Sequence, residues 1–224
     1  MLKITNIEAV DIQDAWFQCI DQVLEVGFKY KIQHGSYVDQ IRMEFDQVIV
    51  HIGHPYSEPY DTMLPQIPPH LGIPNPVASG YIEQYLPYLM TDYIKLGEQY
   101  TYGSRIHDQI GIWIEILKDT PNTNQAILQV AQPSDYRLLD PPCLRHIDMR
   151  IKDGELIFYP YFRSWDLWAG FPANLAAIAV LQKDMADRIG IESGPIIASS
   201  KGLHIYGYVE ELAKLRTGKK RKGA

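Results

Sequence analysis

Apolar residues recur at helical spacing between Ala15 and Glu25, through Trp16, Ile20, Val23 and Leu24, and Gly27 closes the segment, which predicts a helix. From Gln40 to Ile52 the pattern turns extended: Ile41, Met43 and Phe45 alternate with Arg42 and Glu44 ahead of Val48, Ile49 and Val50. Residues 53–80 carry seven prolines, which exclude a continuous helix and a central strand. The same stretch holds Met63, Leu64, Ile67, Leu71 and Ile73, which need burial. It therefore reads as a long ordered loop laid over one face, not as a linker.

A helix is predicted from Tyr81 to Met90, bent at Pro87, and another from Asp108 to Lys118 with Ile110, Trp113, Ile114 and Leu117 on one face. Ala126 to Val130 reads as strand. The sharpest local signal comes next. His146 to Lys152 alternates Ile147, Met149 and Ile151 with polar neighbours, Asp153-Gly154 supplies a two-residue turn, and Glu155 to Phe162 returns as a strand. Asn174 to Ile189 is a helix that starts apolar around most of its circumference, so it belongs in the middle of the protein. Strands and helices come in blocks, which predicts an α+β fold: a twisted mixed sheet backed by helices.

Composition sharpens this only a little. The 224 residues are 46% hydrophobic and 21% charged, enough for one large domain, expected over residues 1–213. No apolar run is long enough to span a membrane, and Met1-Leu2-Lys3-Ile4-Thr5 lacks the pattern of a secretory leader, so the expected location is cytoplasmic. There are two cysteines, Cys19 and Cys143, expected to stay reduced. Cys143 and His146 have a Cys-x-x-His spacing, but no second pair follows, so no metal is expected. A net charge of −6 argues against nucleic-acid binding by the body of the chain. The exception is residues 214–224, where Lys214, Arg216, Lys219, Lys220, Arg221 and Lys222 read as a solvated, flexible basic tail.

Four places could carry chemistry. Cys143 leaves the stiff Asp140-Pro141-Pro142 turn and enters a strand, with Arg145, His146 and Arg163 as candidates to favour its thiolate; burial as an inert thiol is the plainer fate. Arg163-Ser164 offers a guanidinium fork and a hydroxyl suited to a phosphate, unless Arg163 pairs with Asp166. Asn174 opens a helix, where capping is its default role. His204 and Tyr206, two apart in an extended run, point the same way.

Taken together these residues are more specific. Pro141-Pro142-Cys143, Arg163-Ser164-x-Asp166, Gly170-Phe171-Pro172-Ala173-Asn174 and His204-Ile205-Tyr206 resemble, in order and spacing, the active-site set of the thymidylate synthases. The resemblance covers residues 81–208, and the short length and Ser199-Ser200-Lys201-Gly202-Leu203-His204 look closest to the archaeal branch. It implies a methyltransferase in which Cys143 adds to C6 of dUMP and the activated C5 takes a one-carbon unit from a methylene-tetrahydropterin, giving dTMP. The carrier would be 5,10-methylenetetrahydrofolate or 5,10-methylenetetrahydromethanopterin.

By the same resemblance Arg163 and Ser164 bind the 5′-phosphate, Asn174 reads the uracil edge, and His204 and Tyr206 hold the sugar hydroxyl. Asp166 contacts the pterin or the base, Glu83 organises a proton-transfer water, and Tyr102 lies near the proton lost from C5. A homodimer is implied too.

The sequence departs from the family pattern in its N-terminal third. The Arg-Thr-Gly phosphate loop has no clear equivalent near His34-Gly35-Ser36, and the paired arginines lent by the partner fall on Asn124 and Gln125. Arg42, Arg105, Arg137 and Arg145 are candidate substitutes. Leu144 stands where His is common, and the C-terminal tail is basic where the family's is apolar. Two rival readings follow: a pyrimidine-nucleotide hydroxymethylase of the same superfamily, and a non-catalytic nucleotide- or RNA-binding relative.

Overall fold

The computed structural model describes residues 1–35 and 37–219. The expected helix near the N-terminus is α1 (Ile12–Val26), which follows β1 (Ile4–Ala9). The Asp11 side chain caps it and Gly27 ends it. Its buried face carries Trp16, Ile20 and Val23, as their spacing requires.

The extended stretch from Gln40 to Ile52 is not one strand. It divides at Phe45-Asp46 into β3 (Ile41–Glu44) and β4 (Gln47–Ile52), and the two enter different sheets. β4 joins β1, β5 (Ile127–Gln129), β6 (Leu144–Lys152), β7 (Glu155–Phe162) and β9 (Glu192–Ser200) in a six-stranded mixed sheet of order β1-β4-β9-β7-β6-β5. β3 joins β2 (Phe28–Lys31), β8 (Trp165–Asp166) and β10 (Leu203–Tyr206) in a second sheet of order β2-β3-β10-β8. The fold is α+β, with helices on one side of the larger sheet.

α4 (Gly170–Ile189) is the central helix, with thirteen buried residues including Gln182, whose amide donates to the carbonyls of Leu156 and Pro195. It starts four residues earlier than its apolar run indicates. α2 (Tyr81–Met90) holds Pro87 without breaking, and α3 (Tyr102–Asp119) begins six residues before the periodic segment. A reciprocal Thr101–Ser104 capping box starts α3. The proline-rich loop covers the core as its composition demands, with Met63, Leu64, Ile67 and Ile73 buried.

Residues 214–217, expected in a basic tail, complete α5 (Glu210–Thr217). Lys214 pairs with Glu210 and Glu211, and Lys219 reaches Asp21 and Glu25 on α1, so nearby acids hold this part of the run in place. Lys220, Arg221 and Lys222 lie outside the described residues, as does Ser36. Among the described residues no helix is long and apolar enough to cross a membrane.

Candidate active site

The β6–β7 hairpin decides what Cys143 faces. Asp153 and Gly154 both have positive φ, as a tight two-residue turn needs, and they pair Lys152 with Glu155. At the far end a bulge between Leu144 and His146 shifts the register by one, so that Leu144 lies opposite Phe162. Cys143 is thereby set beside Arg163, whose backbone N–H donates to the Cys143 carbonyl at 2.9 Å.

The Arg163 guanidinium grips the turn that carries the cysteine. It donates to the carbonyls of Pro141 and of Pro142, the latter at 3.1 Å, and approaches Asp140 at 3.4 Å. The sequence alternative, an ion pair with Asp166, does not form. Burial pushes the Cys143 thiol above its ordinary pKa, Arg163 opposes that rise and Asp140 adds to it. The resting group is the protonated thiol. Cys19, by contrast, is wholly buried on the core-facing side of α1.

The small sheet supplies the floor. β10 pairs with β8 so that His204 aligns with Asp166, and with β3 so that Tyr206 lies opposite Arg42. Gly202 permits this closeness, because a Cβ there would stand 2.8 Å from the Arg163 carbonyl oxygen. His204 donates from Nδ1 to the Gly202 carbonyl at 2.8 Å, and its Nε2 is buried with no partner among the described residues. Burial, and then the charge of Arg42, lower its pKa to about 4, so it is a neutral imidazole with a free acceptor. Tyr206 accepts from Arg42 at 3.2 Å, which leaves its own proton to donate.

Asp166 takes the capping role that the sequence assigns to Asn174. Its carboxylate accepts the N–H groups of Trp168, Ala169 and Gly170 at 3.1–3.2 Å, at the start of α4. Burial raises its pKa and those three bonds hold it down. Asn174 therefore lies within the helix. Its Oδ1 accepts from the Trp165 indole at 3.0 Å and its Nδ2 donates to the Tyr85 hydroxyl at 2.8 Å.

Six of the expected residues thus meet in one cleft of about 510 Å³: Cys143, Arg163, Ser164, Asp166, His204 and Tyr206. His34 and Gly35, near which the family's phosphate loop was sought in the sequence, also line it. Tyr102 and Asn174 lie in the wall behind Cys143, around a small void shared with Tyr85 and Leu144. The Tyr102 hydroxyl accepts the Leu144 N–H at 3.4 Å, and burial drives its pKa well up, so it is a neutral phenol. Glu83 is not brought in. Ile82 and Leu89 anchor α2 in the core, which turns Glu83 out to an exposed position away from the cleft lining.

Of the four substitute arginines, Arg42 alone lines the cleft. Arg105 and Arg145 converge on the buried Asp135, and Arg137 stacks on Tyr136. Sequence reasoning missed the tyrosines. Tyr81, Tyr85 and Tyr88 stack in series along α2, and Tyr88 meets Tyr102 edge-on. Their i, i+4, i+7 spacing was a usable signal. Tyr37 and Tyr208 flank Tyr206 at the cleft mouth. Among the described residues no cluster of three or more His, Cys, Asp or Glu could hold a metal ion.

Fold and cleft together define an α+β protein that seats a single thiol among guanidinium and phenol groups. A thymidylate synthase family model matches residues 74–222, and the chain belongs to that family. It is 30% identical over 221 residues to a Methanosarcina acetivorans protein named "Putative thymidylate synthase", covering 93% of this chain and 94% of that one. A Methanothermobacter marburgensis protein of the same name is 26% identical over 213 residues, covering 90% and 92%. The thymidylate synthase of Listeria monocytogenes is 32% identical over 107 residues, 47% of this chain and 34% of that one.

Proposed function

We propose that the chain transfers a one-carbon unit from a methylene-tetrahydropterin to C5 of dUMP, with reduction, giving dTMP through a covalent bond between Cys143 and C6. The observation that carries this reading is the meeting of Cys143, Arg163, Ser164, Asp166, His204 and Tyr206 in one nucleotide-sized cleft. Cys143 is the nucleophile: its sulfur bonds to C6, its proton leaves, and the C5=C6 electron pair moves onto C5 and O4. Ser164 and Arg163 take the 5′-phosphate, and Arg163 also holds the nucleophile's turn in place. The free Nε2 of His204 accepts from the sugar hydroxyl, and Tyr206 donates to it.

Asn174 reads the base. With Oδ1 held toward the Trp165 indole, a donor-only group, the amide orientation is set. Uracil O4 replaces Tyr85 as the acceptor for Nδ2, and N3–H bonds to Oδ1. Tyr102 is the phenol beside the C5 proton that must leave. Glu83, exposed on α2, has no part in this reading.

The family uses a folate-type cosubstrate, which supplies the methylene carbon and the hydride. A second cavity of about 300 Å³ is lined by Tyr81, Ala169, Gly170, Ala173 and Asn174, and we assign the flat ring to it. A Cβ on Gly170 would stand 3.4 Å from the Asp166 Cβ and 3.8 Å from Asn174 Oδ1, so the glycine keeps the space beside both side chains open. We place the pterin there, against Asp166, without choosing between the folate and methanopterin carriers.

Cys143→Ala tests the chemistry. Turnover of dUMP should fall by several orders of magnitude while the variant still binds dUMP. A variant with near-normal turnover would end the covalent mechanism.

A further inference from the structure

The turn that carries Cys143 is held from two sides. Arg163 grips it through the carbonyls of Pro141 and Pro142. The second hold is a buried ionic cluster outside the cleft lining. Asp135, in the short turn Pro133–Arg137, is almost wholly buried. It accepts from Arg105 Nη2 at 3.0 Å and from the Gln132 N–H at 2.8 Å, with Arg145 Nη1 3.9 Å away. The same Arg145 nitrogen donates to the Pro142 carbonyl at 3.3 Å, so that one oxygen accepts from two guanidiniums. The β6 bulge places Arg145: it has no residue opposite on β7, and its carbonyl accepts the N–H groups of Val130 and Ala131. Arg105 lies one turn along α3 from Tyr102. Its guanidinium sits 5.3 Å from the centroid of the Tyr100 ring, whose hydroxyl donates to the Asp140 carbonyl at 3.1 Å. One carboxylate thus joins the helix bearing Tyr102 to the turn bearing Cys143. As a stabiliser the cluster is poor, because one carboxylate serves two guanidiniums and Arg105 Nη1 is buried with no partner among the described residues. What it supplies is fixed geometry.

We propose that Asp135 is a positioning residue for the nucleophile, acting through Arg145 to hold the Asp140–Pro142 turn when Arg163 turns to an anion in the cleft. The inference rests on the reading of Cys143 as nucleophile and of Arg163 as anion ligand. An arginine that binds a phosphate gives up donors, and those of Arg163 are spent on Pro141, Pro142 and Asp140. The Asp135 cluster uses none of them, so the turn keeps its second hold. A nucleophile displaced by about 1 Å loses on the order of a hundredfold in rate.

Cys143 itself reports on the cluster. Arg145 lowers its pKa, together with Arg163 and Arg42 and against burial and Asp140, while burial keeps the surrounding phenols of Tyr85, Tyr88, Tyr100 and Tyr102 neutral. The test is the pH dependence of iodoacetamide alkylation of Cys143 in wild type, Asp135→Asn, Asp135→Glu and Arg145→Gln, with kcat and KM for dUMP measured beside it. Arg145→Gln should move the rising limb to higher pH. Asp135→Asn removes an acid, which by charge alone would move the limb to lower pH. Acting through Arg145, it should move the limb to higher pH instead, and Asp135→Glu should restore it. Turnover of Asp135→Asn should fall about tenfold to a hundredfold with KM changed less than about threefold. If Asp135→Asn fails to fold, Arg145→Gln carries the test, because it leaves Asp135 paired with Arg105. A limb that stays put in Arg145→Gln, a limb that stays put or moves to lower pH in Asp135→Asn, or an undiminished kcat in Asp135→Asn would overturn the proposal. Wild-type protein without turnover would overturn the nucleotide reading instead, and alkylation, which needs no substrate, would then decide Asp135 by itself.

Discussion

Cys143 carries three competing influences, and their balance sets how it reacts. Burial holds the thiol protonated, Arg163 favours the thiolate, and Asp140, mostly exposed beside Arg163, works against it. Reactivity should therefore rise with pH as the thiolate forms. Removing the Asp140 charge lowers the thiol pKa, so Asp140→Asn should move the rising limb of iodoacetamide alkylation to lower pH. A limb that stays put, or moves to higher pH, would show that Asp140 does not reach the thiol.

At this scale the sequence was most legible where short motifs are held by backbone pairing. Arg163 and Cys143 meet through a hairpin whose Asp-Gly turn could be read directly, and His204 and Tyr206 share a strand face by simple alternation. The exposed position of Glu83 was not legible, because a motif says nothing about which way a helix is rolled. Ile82 and Leu89 decide that, and they turn it outward. The Asn174 partners, Trp165 and Tyr85, were not legible because the two contacts join three separate elements.

The starts of α3 and α4 show how elements exceed their hydrophobic pattern. Both helices begin ahead of the periodic run, where close packing against a neighbouring element adds its own constraint. Gly103 is the clearest case: a Cβ there would stand 2.0 Å from the Thr91 carbonyl oxygen and 2.8 Å from its nitrogen, where α3 crosses the end of α2. Both contacts are backbone and cannot swing aside. Gly103→Ala should cost about 1–3 kcal/mol, read as a melting temperature lower by several degrees. An unchanged melting temperature would mean that the two helices do not meet so closely. The extended run through residues 40–52 failed as one strand for a related reason. Alternation continues through Phe45, but Phe45 N–H bonds the Leu203 carbonyl and Asp46 accepts from Lys3 N, and the chain passes between sheets there.

At the scale of the whole molecule, one face of the larger sheet carries no helix among the described residues. Ile49, Tyr159, Tyr161 and Ile197 project from adjacent strands β4, β9 and β7 around a shallow open depression, with His146 and Asp148 beside them. We propose this face as the interface of a homodimer, two copies meeting through it by two-fold symmetry. Ile49→Lys with Tyr159→Lys should convert a dimer to a monomer in sedimentation velocity. A wild-type monomer, or a double variant that stays dimeric, would move the interface elsewhere. The α+β class was legible from the block order of strands and helices, whereas the division into two sheets depends on long-range pairings that no local pattern encodes.

The central claim concerns chemistry at C5 of a uracil nucleotide, and product mass reports on it most directly. The protein would be incubated with dUMP and either methylene-tetrahydrofolate or methylene-tetrahydromethanopterin, and the nucleotides analysed by mass spectrometry. The expected result is dTMP with at least one carrier and none with Cys143→Ala. A hydroxymethylated nucleotide would keep Cys143 as nucleophile but contradict the reductive step. Unmodified dUMP with both carriers would contradict the account as a whole.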